Sequence, residues 1–253
     1  MADRPIQLPM PMINALLDGR KTQLRQKLDL PTKAASGGAI YERSDMGGWE
    51  PGIYGGRGCF TVDRNGTKHP APEMVGLYHR TCGVSILAPI QVGDQFWVRE
   101  VWCDLTTTHG RQTETYNSVT GLYERRVQPF IWYQADGDQP DIGNGAAKMA
   151  SWRSPRRMPR SASRLTLLVT DVRAQLLSDI SEEDAVAEGV ERDSDGWRDY
   201  LMPSTQCCFT ARDSYKTLWD SMNGPGSWNA TPWIAAYSFD VVRENIDRFN
   251  RSA

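Results

Sequence analysis

The chain has 253 residues, of which 40% are hydrophobic and 24% charged, and its formal net charge is −2. This is the balance of a globular protein, and the length fits one large domain or one domain with long insertions. No run approaches the roughly 20 apolar residues of a membrane helix, and the first residues lack the apolar stretch of a secretory signal. We therefore expect a cytoplasmic protein without a membrane partner. Five cysteines without a CxxC pair argue against a disulfide framework or a closed zinc site.

The charges are segregated along the chain. Residues 1–35 contain six Lys and Arg against three Asp, and residues 179–199 contain nine acidic residues against two arginines. Residues 151–164 contain five arginines and no acid, with Trp152 near the start. Arginines beside an aromatic ring suit contacts with a nucleic-acid backbone and stacking on a base. The alternative is a solvated basic loop that is balanced by the acidic residues of 179–199.

The first half of the chain begins with a predicted helix over residues 10–19, which Gly19 ends as a C-cap. A strand is predicted to follow from Arg20 to Arg25. Residues 36–84 are glycine-rich and predict a long irregular insertion. After a turn at Gly93-Asp94, aromatic and β-branched residues predict a strand over 96–102.

The second half predicts further strands over residues 128–135, 163–172 and 234–242. Ser181 followed by Asp184 resembles a capping box that opens a helix to Glu188, with Gly189 as its stop. The 3-and-4 spacing of apolar residues predicts a helix over 211–222. This order of elements indicates a small mixed barrel rather than a βαβ array. No phosphate-binding glycine motif is present, and we predict no cofactor and no metal.

Four separated segments of the chain resemble the ASCH family, and especially its longer phage and prophage members. They occur in the expected order and together cover about half of the sequence. The segments are residues 16–25 (LLDGRKTQLR), residues 93–100 (GDQFWVRE), residues 158–189 with MPR, ASR, TDV, ISEEDA and EG, and residues 218–233 with LWDS, NG, Trp228, Asn229, Pro232 and Trp233.

The resemblance implies an α+β fold, a PUA-like small mixed β-barrel with flanking helices and long loop insertions. In this interpretation the whole chain is one domain with a discontinuous core. The core comprises about residues 5–35, 85–103, 158–190 and 211–243, and the insertions are 36–84, 104–157 and 191–210. The family's cleft binds RNA or a nucleotide derivative.

Some small family members are similar to amidohydrolases that remove the acyl group of acetylcytidine. Their lysine and glutamate correspond to Lys21 and Glu188, but Leu24 stands where the family has its second threonine. A leucine has no hydroxyl that could act as a nucleophile or orient water. Thr22 could replace that threonine only if the backbone shifted its hydroxyl into reach.

The resemblance and the charge pattern together predict a protein that binds nucleic acid, RNA before DNA, or a modified nucleoside. The predicted ligand-binding residues are Arg20, Lys21, Arg25, Trp152, Arg160, Ser163 and Arg164. If the protein is an enzyme, its catalytic residues are Lys21, Glu188 and Thr22, and the reaction is deacylation of a nucleobase or cleavage of RNA. A phage assembly-associated protein without a nucleotide ligand is the third alternative. A phage-encoded protein would work in the cytoplasm of a bacterial host; the oligomeric state stays open.

Three smaller alternatives concern single residues. Lys21 could be a solvated lysine at a helix C-terminus, where cations are favoured. Glu188 could be one more charge on an acidic helix. Its position near the helix end is electrostatically poor for a carboxylate and favours a specific partner such as Lys21. Arg99 and Glu100 could form an ion pair inside the barrel.

Overall fold

The computed structural model describes residues 2–31, 48–81, 83–106, 112–117, 122–127, 130–139, 151–204 and 207–252. Predictions for the remaining residues of the three insertions, for residues 128–129 and for Cys82 lie outside this description. The chain forms two compact units. Unit 1 comprises Met1–Ala2, Ala15–Gln95 and Leu167–Val241, and unit 2 comprises Asp3–Asn14, Phe96–Thr166 and Val242–Ala253.

The architecture is mixed α+β, with many strands and few helices, and this confirms the predicted class. The helices are α1 (Met10–Leu17), α2 (Glu182–Ala187), α3 (Ala211–Asn223) and α4 (Ile246–Ser252). The strands of the first half are β1 (Asp3–Gln7), β2 (Gln23–Lys27), β3 (Trp49–Tyr54), β4 (Phe60–Val62), β5 (Lys68–Pro70), β6 (Met74–His79), β7 (Ser85–Leu87), β8 (Gln95–Arg99), β9 (Trp102–Asp104), β10 (Gln112–Asn117) and β11 (Leu122–Val127). The later strands are β12 (Ile131–Tyr133), β13 (Thr166–Leu176), β14 (Arg192–Asp193), β15 (Gly196–Arg198), β16 (Cys207–Cys208) and β17 (Trp233–Val242).

The predicted helices form where local capping signals occur in the sequence. Helix α1 is followed by Gly19 at a φ of +75°, a left-handed conformation that favours glycine. Helix α2 begins after Ser181, whose hydroxyl accepts a hydrogen bond of 3.0 Å from the amide of Asp184. Helix α3 begins after Thr210, whose side chain caps the amide of Asp213. These three helix predictions are confirmed.

Three predicted strands differ from the observed ones in where they begin and end or in their number. Strand β2 begins at Gln23 rather than Arg20, because the amides of Arg20 and Lys21 both donate to the Ala15 carbonyl at the end of α1. The strand predicted over 96–102 is two strands, β8 and β9. The strand predicted over 163–172 runs from Thr166 to Leu176.

The prediction that residues 36–84 are irregular is wrong for the described part of that segment. Strands β3, β6 and β7 form an antiparallel sheet, and β4 pairs with β5 as a hairpin. At Gly76 a Cβ atom would overlap the Ile86 carbonyl, so glycine permits the close approach of β6 and β7. Residues 191–210, also predicted as an insertion, contain the three-stranded sheet β14-β15-β16.

Unit 1 places its central sheet beside two helices. Strand β17 lies between β13 and β2, and Leu24 of β2 stands opposite Tyr237 of β17. Helices α2 and α3 contact each other, and α3 buries Tyr215, Leu218 and Trp219. This packing fixes the residues that follow α1 against the end of α2.

Unit 2 has a smaller core around Trp102, Met158 and Ala162, against which Ile131 and Tyr133 pack. Strands β1 and β8 are neighbours, and β9 pairs with β12. Trp102 also forms an antiparallel bridge with Arg153, which ties the arginine-rich segment to β9. Among the described residues of both units, no sheet closes into a barrel, and no helix is both long and apolar enough to cross a lipid bilayer.

Candidate functional sites: a buried ion cluster and a basic surface

Lys21 lies in the loop between α1 and β2, directly against the end of α2. Gly189, which follows that helix, has a φ of +88°, and a Cβ atom there would lie 2.8 Å from the Cβ of Ala15 and 2.9 Å from the Cβ of Lys21. The Thr22 amide donates to the Ala187 carbonyl at 2.8 Å. Gly189 is therefore required both by its backbone conformation and by the close approach of Lys21.

The Lys21 ammonium group uses all three of its hydrogens inside the protein. Its Nζ atom donates to Glu188 Oε2 at 2.6 Å, to the Gln23 carbonyl at 2.8 Å and to the Glu188 carbonyl at 3.0 Å. The residue is 0% exposed. Burial lowers the pKa of Lys21, because a charged ammonium group is disfavoured away from water, although the negative charge of Glu188 opposes this effect.

Glu188 connects Lys21 to a longer series of alternating charges. Its Oε1 atom accepts a hydrogen bond of 3.1 Å from Arg25, and Arg25 donates to Asp184 at 2.7 Å. Asp184 in turn accepts from Arg173 at 2.8 Å. We call these five residues (Lys21, Arg25, Arg173, Asp184 and Glu188) the ion cluster. All of them belong to unit 1.

Two further side chains complete the ion cluster, and the sequence did not indicate a site role for either. Gln23 donates to Asp184 at 3.1 Å and accepts a hydrogen bond from Arg25. The ring of Tyr215 lies 5.8 Å from the Arg25 guanidinium carbon. Burial, together with the charge of Glu188, raises the pKa of the Tyr215 hydroxyl well above its usual value. The only sequence signal for Tyr215 was its place on the apolar face of α3, which does not distinguish a site residue from a core residue.

The structure thus brings Lys21, Arg25 and Glu188 together, and the predicted pairing of Lys21 with Glu188 is confirmed. Thr22, by contrast, is exposed, while Leu24 is buried like the cluster. A ligand could bind Lys21 only by displacing one of its three present acceptors. Each charge of the ion cluster has an oppositely charged partner. Lys21, Arg25 and Glu188 are removed from water, whereas Arg173 is half-exposed, and the buried Nε atom of Arg25 has no hydrogen-bond partner among the described residues.

Arg20 is held at the edge of unit 1. It donates to the Gly189 carbonyl at 2.8 Å and forms an ion pair with Asp18 at 3.0 Å. Like Lys21, it therefore helps to fasten the loop after α1 to the end of α2.

Three other predicted ligand-binding residues, Arg160, Ser163 and Arg164, belong to unit 2 and also have internal partners. Arg160 forms ion pairs with Asp3 and with Asp247, the latter at 2.7 Å. The buried hydroxyl of Ser163 donates to the Val98 carbonyl at 2.9 Å. None of these partners lies in the acidic segment 179–199.

Arg164 forms a bidentate ion pair with Glu100, in which both hydrogen bonds are 2.9 Å long. It also donates a hydrogen bond of 2.7 Å to Asp136. The buried partner of Glu100 is therefore Arg164 and not Arg99, whose guanidinium group lies over the Trp97 ring at 4.5 Å. Burial raises the pKa of Glu100, and the hydrogen bonds from Arg164 oppose that effect.

Trp152 and its neighbouring arginines form a different kind of site in unit 2. They line an open concavity of about 980 Å³. We call its charged and aromatic residues the basic surface; they are Trp102, Asp104, Trp152, Arg153, Arg156 and Arg157. Three guanidinium groups face one carboxylate, and Arg156 and Arg157 form no ion pair with any described residue.

Aromatic rings are part of the basic surface. The Arg153 guanidinium group lies 4.9 Å from the centre of the Trp102 ring, while Trp152 is 37% exposed. Ser154 accepts a hydrogen bond from the Arg156 amide, which starts a short 3-10 turn at residues 155–157. The turn keeps Arg156 and Arg157 at the surface, where both are exposed.

Within the described part of the chain, no group of three or more His, Cys, Asp or Glu side chains is placed to hold a metal ion. Cys59, Cys103, Cys207 and Cys208 are free thiols. In comparisons with known proteins, no protein-family model, no curated protein and no solved structure matches the chain.

Proposed function

We propose that the protein binds single-stranded nucleic acid, RNA before DNA, through the basic surface of unit 2. The observation that supports this most directly is the pair of exposed guanidinium groups of Arg156 and Arg157 beside Trp152, neither of which has an acidic partner among the described residues. Phosphate groups are the ligands that guanidinium groups bind best. An exposed indole ring offers a face for a base, and such stacking contributes about 1–3 kcal/mol per base.

The charge balance of the basic surface also supports an anionic ligand. Among the described residues that line it, Asp104 is the only carboxylate against three arginines, so these residues carry a net positive charge. An intramolecular role would require acidic partners of the kind that Arg160 and Arg164 possess. The described part of the chain provides no such partner for Arg156 or Arg157.

The proposed fold is a PUA-like α+β fold of the ASCH family, decorated by insertions, in which the described sheets remain open rather than closed into a barrel. Four sequence segments in the family's order support this assignment. The hydrogen bond of 2.6 Å between Lys21 and Glu188 agrees with it, because these two residues correspond to the family's paired lysine and glutamate.

Fluorescence anisotropy with labelled RNA and DNA strands of about ten nucleotides tests the proposed binding. At about 50 mM salt, where phosphate contacts are strong, we expect binding that the double variant Arg156→Gln/Arg157→Gln weakens at least about tenfold. The matched control is Arg57→Gln/Arg64→Gln, which removes two exposed arginines from unit 1. If neither strand binds, the proposal fails and an assembly role without a nucleotide ligand is favoured. Cleavage of the RNA during the measurement would favour a ribonuclease.

The pairing of Lys21 with Glu188 favours a second candidate function, an amidohydrolase that acts on an acylated nucleobase. In such a reaction water adds to the acyl carbon, the bond to the exocyclic nitrogen breaks, and the freed amine takes up a proton. In this candidate Lys21 must first lose one proton of its ammonium group, which burial favours by lowering its pKa, before its amine can accept the proton from water. The sealed cluster and the absence of a hydroxyl at Leu24 count against this candidate.

Chromatography of acetylcytidine after incubation with the protein tests the second candidate. The variant Leu24→Thr supplies the missing hydroxyl, so we expect it to release acetate faster than the natural chain does. Lys21→Gln in the Leu24→Thr background should abolish that release. If neither the natural chain nor Leu24→Thr releases acetate, the enzymatic candidate is contradicted.

A further inference from the structure

The carboxylate of the basic surface, Asp104, is placed by strand β9 of unit 2. Trp102 and Asp104 are two positions apart on this strand, so their side chains lie on the same face. Arg153 is joined to Trp102 by backbone hydrogen bonds of 2.7 and 3.3 Å, and its guanidinium group lies over the Trp102 ring. The Asp104 carboxylate and the Arg153 guanidinium group therefore lie on one side of β9, where all three residues line the concavity.

Asp104 is accessible from the concavity that it lines, because the residue is only half-buried. Whereas Glu100 and Asp136 are both paired with Arg164, Asp104 forms no ion pair with any described residue. The Thr106 amide donates to its Oδ1 atom at 3.0 Å and so fixes the position of the carboxylate. A carboxylate has about four acceptor sites, of which the amide and the hydroxyl of Thr106 can use two. The remaining sites are available to a ligand.

The Asp104 carboxyl group is ionised at neutral pH. A hydrogen bond from the Thr106 side chain lowers its pKa below the ordinary value of 3.8, and the nearby charge of Arg153 acts in the same direction, while partial burial opposes both. An ionised carboxylate only accepts hydrogen bonds. A ligand that contacts Asp104 must therefore supply the donors.

A carboxylate among arginines is unfavourable for a ligand that offers only phosphate groups, because like charges repel. It stabilises a ligand that also presents hydrogen-bond donors, since hydrogen bonds to a charged acceptor are strong. In single-stranded nucleic acid, such donors lie on the Watson–Crick edges of unstacked bases.

Guanine is the common base whose edge fits a carboxylate best. Its ring N1–H and its exocyclic amine are adjacent donors, which match the two carboxylate oxygens. In adenine and cytosine the amine lies beside a ring nitrogen that accepts hydrogen bonds and would repel the second oxygen. In uracil the single N–H lies between two carbonyl oxygens. The ribose hydroxyl, which all four ribonucleotides share, supplies only one donor.

We infer that Asp104 selects guanine in the nucleic acid that binds to the basic surface. The N1–H and the amine of one guanine donate to the carboxylate, and the exposed arginines hold the neighbouring phosphates. Asp104 is then the residue that determines specificity, and Thr106 positions it. This inference rests on the proposed nucleic-acid binding and adds base selection to it.

Fluorescence anisotropy with RNA strands of about seven nucleotides tests the inference. The strands consist of uridines except for one central base, which is G, A, C or U. We expect the G strand to bind about tenfold more tightly than the other three. A strand with central hypoxanthine, which keeps the N1–H but lacks the amine, should retain a preference of only about threefold. DNA strands of the same design should show the same order, because the base edge is the same.

The variant Asp104→Asn keeps the size of the side chain and an oxygen that can accept from Thr106, but it removes the charge and one of the two acceptor oxygens. It should bring the four strands within about threefold of one another. It should also raise the affinity for the U strand, because a negative charge is lost from the site. The matched control is Asp138→Asn, which removes an exposed carboxylate of unit 2 from outside the basic surface and should retain the guanine preference. Melting temperatures verify that both variants fold.

Equal affinity of the natural chain for the four strands would overturn the inference while leaving the basic surface as a binding site. A guanine preference that Asp104→Asn retains would also overturn it and would leave Asp104 only its contact with Thr106. A preference for RNA over DNA that Asp104→Asn abolishes, without a preference among bases, would assign the carboxylate to the ribose hydroxyl instead.

The hypoxanthine strand changes only the ligand, so it tests the inference even if Asp104→Asn does not fold. Binding of that strand as tightly as the G strand would contradict the contact between the amine and Asp104. Failure of every strand to bind would overturn the proposed function and this inference together.

Discussion

The ion cluster of unit 1 and the basic surface of unit 2 use the same residue types in opposite ways. In the cluster, Lys21, Arg25 and Glu188 are removed from water and each charge has a partner at hydrogen-bond distance. On the basic surface, Arg156 and Arg157 remain exposed and have no acidic partner among the described residues. Buried charges must be compensated within the protein, whereas exposed guanidinium groups are available to a ligand. The comparison shows that burial, rather than residue type, separates charges that are compensated inside the protein from charges that remain accessible to solvent.

The largest expected effect comes from removing the central charge of the cluster. Glu188→Gln leaves Lys21 and Arg25 buried without their shared carboxylate, so we expect the free energy of unfolding to fall by about 3–5 kcal/mol. Urea denaturation measures this loss. Glu183→Gln, an exposed change one turn earlier in the same region, should alter stability by less than about 0.5 kcal/mol. Equal effects of the two changes would contradict the structural role of the cluster.

The next largest effect is expected at Gly189, where the absence of a Cβ atom leaves room for Lys21. Gly189→Ala introduces a Cβ atom into contacts of 2.8 and 2.9 Å at a φ of +88°, so we expect a loss of about 2–3 kcal/mol. Gly66→Ala is the matched control, because Gly66 has a φ of +81° but no atom within 4 Å of the added group. It should cost about 1 kcal/mol. Similar losses in both variants would mean that backbone strain alone, and not packing against Lys21, determines the cost.

A smaller effect, which depends on pH, is expected at Asp184. Partial burial acts to raise the pKa of Asp184, but hydrogen bonds from Arg173 and Gln23 outweigh it and lower the pKa below its ordinary value of 3.8. As the pH falls, the Asp184 carboxylate is therefore protonated at a higher pH in the unfolded chain than in the folded protein. The stabilisation that this carboxylate contributes is complete only above pH 3.8 and is lost as the pH falls through its pKa in the folded protein. Asp184→Asn should cost about 1–2 kcal/mol at pH 7.

Denaturation of the natural chain and of Asp184→Asn across a pH series measures this linkage. The difference between the two should shrink as the pH falls below 3.8. A difference that stays constant down to pH values well below that point would show that Asp184 is not held by charged partners. Asp171→Asn is a suitable control, because Asp171 is exposed and its ion pair with the Nε atom of Arg173 is longer, at 3.4 Å.

The smallest expected effect concerns the basic surface and is seen only in binding. Loss of Arg156 and Arg157 should lower the slope of log affinity against log salt by about 1.4, because each phosphate contact on a single strand contributes about 0.7. The same double variant should leave the free energy of unfolding within about 0.5 kcal/mol of the natural value. Anisotropy over a series of salt concentrations measures the slope. An unchanged slope would place the phosphate contacts elsewhere.

Much of the local structure could be predicted because its causes lie within a few residues. The pair Ser181 and Asp184 predicted the start of α2, and the spacing of Tyr215, Leu218 and Trp219 predicted α3. The prediction that residues 36–84 are irregular was wrong because the strands in that region depend on contacts between segments that are separated in the sequence. These strands are short and separated by glycine turns, and they form only because β3, β6 and β7 pair with one another. Strand pairing of this kind is a property of context more than of intrinsic preference.

The sequence by itself determined which residues can form capped helices and where the arginines are concentrated. The pairing of Lys21 with Glu188 was predicted only through the resemblance to the ASCH family. Tertiary structure alone decided that Lys21, Arg25 and Glu188 are sealed from water and that Arg160 and Arg164 have acidic partners. It also decided that Arg156 and Arg157 have none within the part of the chain that the structure describes. The reason is physical: caps and turns depend on neighbouring residues, whereas the burial and pairing of a charge depend on residues far away in the chain. Lys21 and Glu188, which are joined by a hydrogen bond of 2.6 Å, are 167 positions apart.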